Sequence, residues 1–143
     1  MGLRPGRPFR RAGLNGVLFV RHATSAGMRE ARFPAGGAGD AGGLAGARAL
    51  AGWLGDPCAA PHGGESRRDL MARVGAWLWG RPSGVAVCDA GVIRAALCHA
   101  LGLDAAAADG IDLAPLRATR LTAARDGWRV AHVNAHLDPK VVP

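Results

Sequence analysis

Lysine is almost missing from this 143-residue chain: of 18 basic residues, only Lys140 is not arginine. Glutamate occurs twice, as Glu30 and Glu65, which leaves few candidates for a glutamate that moves protons. Cysteine is sparse too. Cys58, Cys88 and Cys98 form no CxxC pair and no metal-ligand cluster, which excludes a disulfide framework and a cysteine zinc site and fits a reducing compartment. No apolar run approaches the roughly 18 residues of a membrane span. The run from Leu14 to Val20 follows Arg4, Arg7, Arg10 and Arg11, but Asn15-Gly16 interrupts it and Arg21-His22 stops it, too early for a secretory signal. A cytoplasmic protein with no membrane partner is expected.

What is present supports one globular domain. Apolar residues make up 49% of the chain, enough for a core at a length that leaves no room for two ordinary domains. The formal charge of +7 suits anionic ligands in general, yet arginine bias alone can produce it, so nucleic acid is not expected as a partner. Residues 1–13, rich in Gly, Pro and Arg, read as a flexible basic arm ahead of a single domain over 14–143.

The hydrophobic pattern predicts alternating strands and helices. Val17 to Val20 is a continuous apolar run, the mark of a strand buried on both faces. Leu44 to Leu54 reads as a helix with Leu44, Ala47, Leu50, Ala51 and Leu54 inward, after a glycine-rich loop over 34–43. Ser66 and Asp69 form a capping signature for a helix in which Leu70, Val74, Trp77 and Leu78 share a face. Val85 to Cys88 reads as a second buried strand. Asp89 is placed to cap a helix that turns Val92, Ala96, Leu97, Ala100 and Leu101 inward and stops at Gly102. Asp126-Gly127 between Thr119–Ala124 and Trp128–Val133 predicts a hairpin. Trp53, Trp77, Trp79 and Trp128 are expected at core or sheet-face positions. The order implies an α/β sandwich with a parallel pair first and a hairpin last.

Two strands run into polar sequence, Arg21-His22 after the first and Asp89 after the second, and in such sheets ligands bind beyond the strands' carboxyl ends. Arg21 offers a fork of donors for phosphate oxygens, and a neutral His22 imidazole could attack phosphorus. Glu65, just ahead of a helix, could protonate a leaving oxygen; the alternative is that its charge only favours the helix N-terminus.

At these residues the chain resembles the histidine phosphatase superfamily, also called the phosphoglycerate-mutase-like family. Val17 to Ser25 is similar to its first strand and R-H-G-x-T signature, with Ala23 for the Gly and Ser25 for the Thr. Pro61-His62-Gly63-Gly64-Glu65-Ser66 resembles the segment that carries its acid residue, and Val85 to Leu101 its later strand and helix. The resemblance runs over residues 16 to 134. It implies a three-layer α/β/α sandwich with a reduced mixed sheet, and a small phosphorylated substrate. In the implied mechanism His22 is the nucleophile, Arg21 and Ser25 hold phosphate, and Glu65 donates the proton, with no metal and no cofactor.

Two departures accompany it. The family's second pocket histidine falls at Asp89, which puts a carboxylate beside a phosphoryl group in transfer. Between His22 and Glu65 there is no match to the family's further strand and second phosphate-binding arginine; Arg48 is the candidate replacement, with His62 a candidate for the missing imidazole. Losing a strand opens a sheet edge along which two copies could pair. Two functions follow: a phosphomonoester hydrolase working through a phosphohistidine, weakened by these changes, or an inactive pseudo-phosphatase that binds a phosphorylated ligand or protein. A mutase is disfavoured, because so short a chain has little material for a lid.

Overall fold

The computed structural model describes residues 15–23, 48–49, 51–61 and 63–138. The basic arm, Ser25 and His62 lie outside these residues. Strand β1 (Gly16–Arg21) carries the apolar run, and its first five residues are buried. Helix α1 (Arg67–Trp79) follows, then strand β2 (Gly84–Cys88), helix α2 (Ala90–Leu101), a 3-10 turn (Ala107–Gly110) and strands β3 (Arg117–Ala124) and β4 (Gly127–His136). The four strands make one mixed sheet in the order β2-β1-β3-β4. The β1–β2 pair is parallel and ends with Arg21 opposite Cys88; β1–β3 and β3–β4 are antiparallel. This is the α/β sandwich with a parallel pair and a terminal hairpin that the pattern predicts.

Alternation along β1 sends its side chains to two clusters, because successive residues of a strand point to opposite faces. Val17 and Phe19 join Val74 and Leu78 of α1, Ile93 and Leu97 of α2, and Leu121 of β3. Leu18 and Val20 pack with Ala118 and Leu137. Gly16 sits where β3 comes closest: a Cβ there would lie 2.0 Å from the Leu121 carbonyl oxygen, so the strand can begin only with glycine.

Five expectations need correction. β2 is not buried on both faces: Val85 and Val87 are exposed, because both long helices pack on the face that Ala86 and Cys88 share, and β2 is an edge of the described sheet. Trp79 is 84% exposed and Trp77 about half exposed. The buried stripe of α1 is Arg67, Val74, Gly75 and Leu78, so a side chain one position either side of Leu78 is turned about 100° away; Trp77 keeps only an edge-on contact with Phe19, 6.0 Å between centroids. Of the helix expected over 44–54, residues 48–49 and 51–55 are helical among those described, but Ala51 and Leu54 face outward. Trp53 takes the inward position instead, under the Arg67 guanidinium at 5.9 Å. Leu101 is also exposed. The hairpin turn falls one residue early: Arg125-Asp126 form it, and Gly127, at φ 147°, already pairs with Ala124.

Arginine explains much of the tertiary wiring. Arg67 is buried at the start of α1, donates to the carbonyls of Leu54 (2.8 Å) and Ala105, and pairs with Asp109 at 2.6 Å. Arg94 donates to the Ile111 carbonyl, and Arg81 to those of Ala124 and Arg125. A guanidinium has five donors in a fixed fork, so one side chain can satisfy several loop carbonyls at once. Part of the positive excess is therefore committed to holding loops.

Candidate active site

The parallel ladder extends one step past β1, where the His22 amide donates to the Cys88 carbonyl at 3.0 Å. His22 and Asp89 thus leave neighbouring strand ends side by side. The His22 ring is exposed, and its Nδ1 lies 2.8 Å from the Ala23 carbonyl oxygen. A carbonyl can only accept, so Nδ1 carries the proton and Nε2 holds the free lone pair. That is the tautomer a nucleophilic imidazole needs.

Arg21, half-buried, donates one Nη1 bond to the Leu113 carbonyl, while Leu116 donates its amide to the Arg21 carbonyl at 2.9 Å. The segment before β3 is pinned to the strand end in this way. Asp89 caps α2: its Oδ1 accepts the Val92 amide at 3.0 Å, as the capping reading of the sequence anticipates. Cys88 stays a thiol, its pKa raised to about 11 by burial and then by the Asp89 charge, and so does not compete as a nucleophile.

Glu65 lies at the N-terminus of α1, where Ser66 is the cap: its Oγ accepts the Asp69 amide at 3.1 Å and donates to Asp69 Oδ2 at 2.7 Å. The indole of Trp53 donates to the Glu65 carbonyl at 3.0 Å, fixing the backbone there. The carboxylate is held by Arg73 in a two-pronged pair, Nε–Oε1 2.7 Å and Nη2–Oε2 2.9 Å. The hydrogen bonds from Arg73 hold the Glu65 carboxyl below its usual range. In return Arg73 is pushed up, first by the Glu65 hydrogen bond and charge and, more weakly, by the charge of Asp89.

Arg73 is the functional candidate that sequence reading missed. A Cβ on Gly91 would stand 3.6 Å from Leu70 Cδ2, so the first turn of α2 abuts α1 one turn before Arg73. Arg73, held by Glu65, is thereby brought close enough to Asp89 to feel its charge. The available signal was spacing: Arg73 follows Asp69 by four residues on one helical face, and Glu65 lies just ahead of that helix. Arg48, exposed in the helical pair 48–49, makes no hydrogen bond or ion pair among the described residues.

The sequence that follows β1 matches a known family pattern. Residues 44–136 match the profile of the histidine phosphatase superfamily (branch 1). The chain belongs to this superfamily. The matched stretch includes Glu65, Arg73 and Asp89 and begins after β1. No curated protein matches the chain. Among solved structures, a mutant phosphoserine phosphatase from Entamoeba histolytica in complex with phosphoserine shares the fold at TM-score 0.50 and 14% identity, over 59% of this chain and 47% of that one. A mycobacterial glucosyl-3-phosphoglycerate phosphatase in complex with VO3 aligns at TM-score 0.47 and 29% identity, over 61% and 51% of the two chains. The same mycobacterial enzyme with inorganic phosphate gives 0.47 and 28%, over 66% and 57%. The chain spans about half the length of the solved structures it matches. No helix among the described residues is long and apolar enough to cross a membrane.

Proposed function

We propose that this histidine phosphatase superfamily member hydrolyses a small phosphomonoester through a phosphohistidine. The observation that carries the reading is the His22 ring, exposed at the end of β1 with its Nδ1 2.8 Å from the Ala23 carbonyl oxygen, an arrangement that in the neutral ring leaves the Nε2 lone pair free. In the first step Nε2 attacks phosphorus, the P–O bond to the alcohol breaks, and Glu65 gives its proton to the leaving oxygen. In the second, water attacks the phosphoryl group, its proton passes to the Glu65 carboxylate, and the P–N bond electrons return to Nε2, releasing phosphate. Arg21 and Ser25 are proposed phosphate ligands.

Arg73 sets the condition under which Glu65 can act. Paired with Arg73, Glu65 favours the ionised form and is a poor acid. A dianionic phosphate entering beside Asp89 competes for the same guanidinium; once Arg73 turns to it, the carboxyl regains its ordinary proton affinity. Arg73 then serves as the second phosphate-binding arginine in place of Arg48.

The acid role is tested by leaving group. Glu65→Gln should lose about 100-fold in kcat on phenyl phosphate, whose leaving oxygen needs a proton, and far less on p-nitrophenyl phosphate. Equal losses on both would remove Glu65 from the role. Arg73→Gln should raise KM and, because it releases the depressed Glu65 pKa, carry phenyl phosphate turnover to higher pH.

A second copy is the partner that the open edge suits. It would pair along β2, whose Val85 and Val87 are exposed. Val87→Lys should then lower the mass seen by light scattering; a monomer at high concentration in the unchanged chain ends this proposal.

A further inference from the structure

A cleft of about 600 Å³ lies at the opposite end of the sheet from His22, between the end of α1, the last turn of α2 and the β3–β4 turn. Its lining includes Trp79, Arg81, His99, Arg125, Trp128 and Arg129, with Asp126 as the one carboxylate. A cavity of this size holds a ligand as large as a nucleotide.

The lining combines two kinds of recognition. Trp79 is 84% exposed, so its indole presents a face to solvent that packing does not use. Among the described residues, the side chains of Arg125 and Arg129 have no ion pair and no hydrogen bond, unlike Arg67, Arg73 and Arg94. The carboxyl ends of α1 and α2 bring partial negative charge to this end of the molecule. Arg81, next to the α1 cap, offsets it. Arg81 also braces the turn by donating to the Ala124 carbonyl at 2.8 Å, which holds Arg125 at the rim. His99 is fixed as well: its ring fills the space above Gly75, where a Cβ would meet Nδ1 at 2.8 Å.

We propose that this cleft is a second binding site, for a nucleoside monophosphate or a similar small anion carrying a flat aromatic ring. Arg125 and Arg129 take the phosphate, and the exposed indole of Trp79 stacks on the ring. The free cations cluster at one turn and form no track, which favours a single nucleotide over a strand of nucleic acid.

The test is calorimetric titration of the full-length chain with AMP, in the His22→Ala background so that none is consumed. Binding at the cleft should be weakened about tenfold by Trp79→Ala, as expected for loss of one stacked base, and stands apart from binding at the strand ends, which should respond to Arg73→Gln. Arg129→Ala should weaken cleft binding at least as much, and Arg73→Gln should leave it unchanged. Trp79 and Arg129 are exposed, and an unchanged Tm will show that both variants fold. Adenosine and inorganic phosphate should each bind at least tenfold more weakly than AMP. Absence of binding at millimolar AMP overturns the proposal, as does binding abolished by Arg73→Gln and indifferent to Trp79→Ala. Tight, steeply salt-dependent binding of single-stranded oligonucleotides without AMP binding would replace it with a nucleic-acid surface.

Discussion

The His22→Ala chain turns over p-nitrophenyl phosphate at least about 10⁴-fold more slowly than the unchanged chain, if Nε2 forms the covalent intermediate proposed above. Removing the nucleophile removes the path itself, so the expected loss corresponds to more than about 5 kcal/mol of barrier. His22 is exposed and, among the described residues, its ring is hydrogen-bonded only to the adjacent residue's carbonyl, so the variant should keep its Tm. His22→Gln, which keeps polarity without a basic ring nitrogen, should be as inactive. Rapid mixing of the unchanged chain with substrate, followed by alkaline quench, should trap an acid-labile phosphoryl group that neither variant acquires. Equal turnover in all three proteins would sink the mechanism.

The second large effect is expected at Asp89. In the proposed active site this carboxylate stands beside His22 and repels the phosphoryl group as charge builds during transfer. At ~4 Å, one like-charge contact costs about 1 kcal/mol in a water-like medium and about 4 kcal/mol at an effective dielectric near 20. Asp89 is exposed, so the smaller value is the better guide and the penalty is about one order of magnitude in rate. The side chain also caps α2 through the Val92 amide, worth about 1 kcal/mol of stability. Asn caps as well as Asp, so Asp89→Asn separates the two roles: turnover should rise about tenfold with Tm unchanged. Asp89→His removes repulsion and adds a donor, so turnover should rise further while Tm falls by a few degrees from the lost cap. A loss of activity in both variants would show that the carboxylate takes part in the chemistry. No activity in any of the three, with phosphate still bound in a titration, would favour the pseudo-phosphatase, a reading for which the Asp89 charge is the specific argument.

These two residues were legible because each is a local feature. An apolar run followed at once by Arg-His marks a strand end that must open to solvent. An aspartate before Ala-Gly and a helical stripe marks a cap. The Ser66–Asp69 cap, the stop at Gly102 and the hairpin are of the same kind, since propensity and capping act over three or four residues. The second phosphate-binding candidate was not legible. Spacing ties Arg73 to Asp69 in the sequence, but only folding pairs it with Glu65 and brings it within reach of the Asp89 charge.

The pattern of the chain alone determined the alternation of strands and helices and the parallel opening pair, and it offered His22 and Glu65 as the candidates for the proposed phosphoryl chemistry. Tertiary structure alone decided which faces are covered and which charges are already spent. Val87 and Trp79 carry the apolar character of core residues, yet one lies on an edge strand away from the helices and the other one step off a buried stripe. Arg67 and Arg94 look like surface cations and instead hold loop carbonyls, whereas the side chains of Arg125 and Arg129 line a cleft and take no such partner among the described residues. The reason is range: hydrogen bonds within a turn follow from neighbours in sequence, while burial and ion pairing depend on what a fold carries in from dozens of residues away.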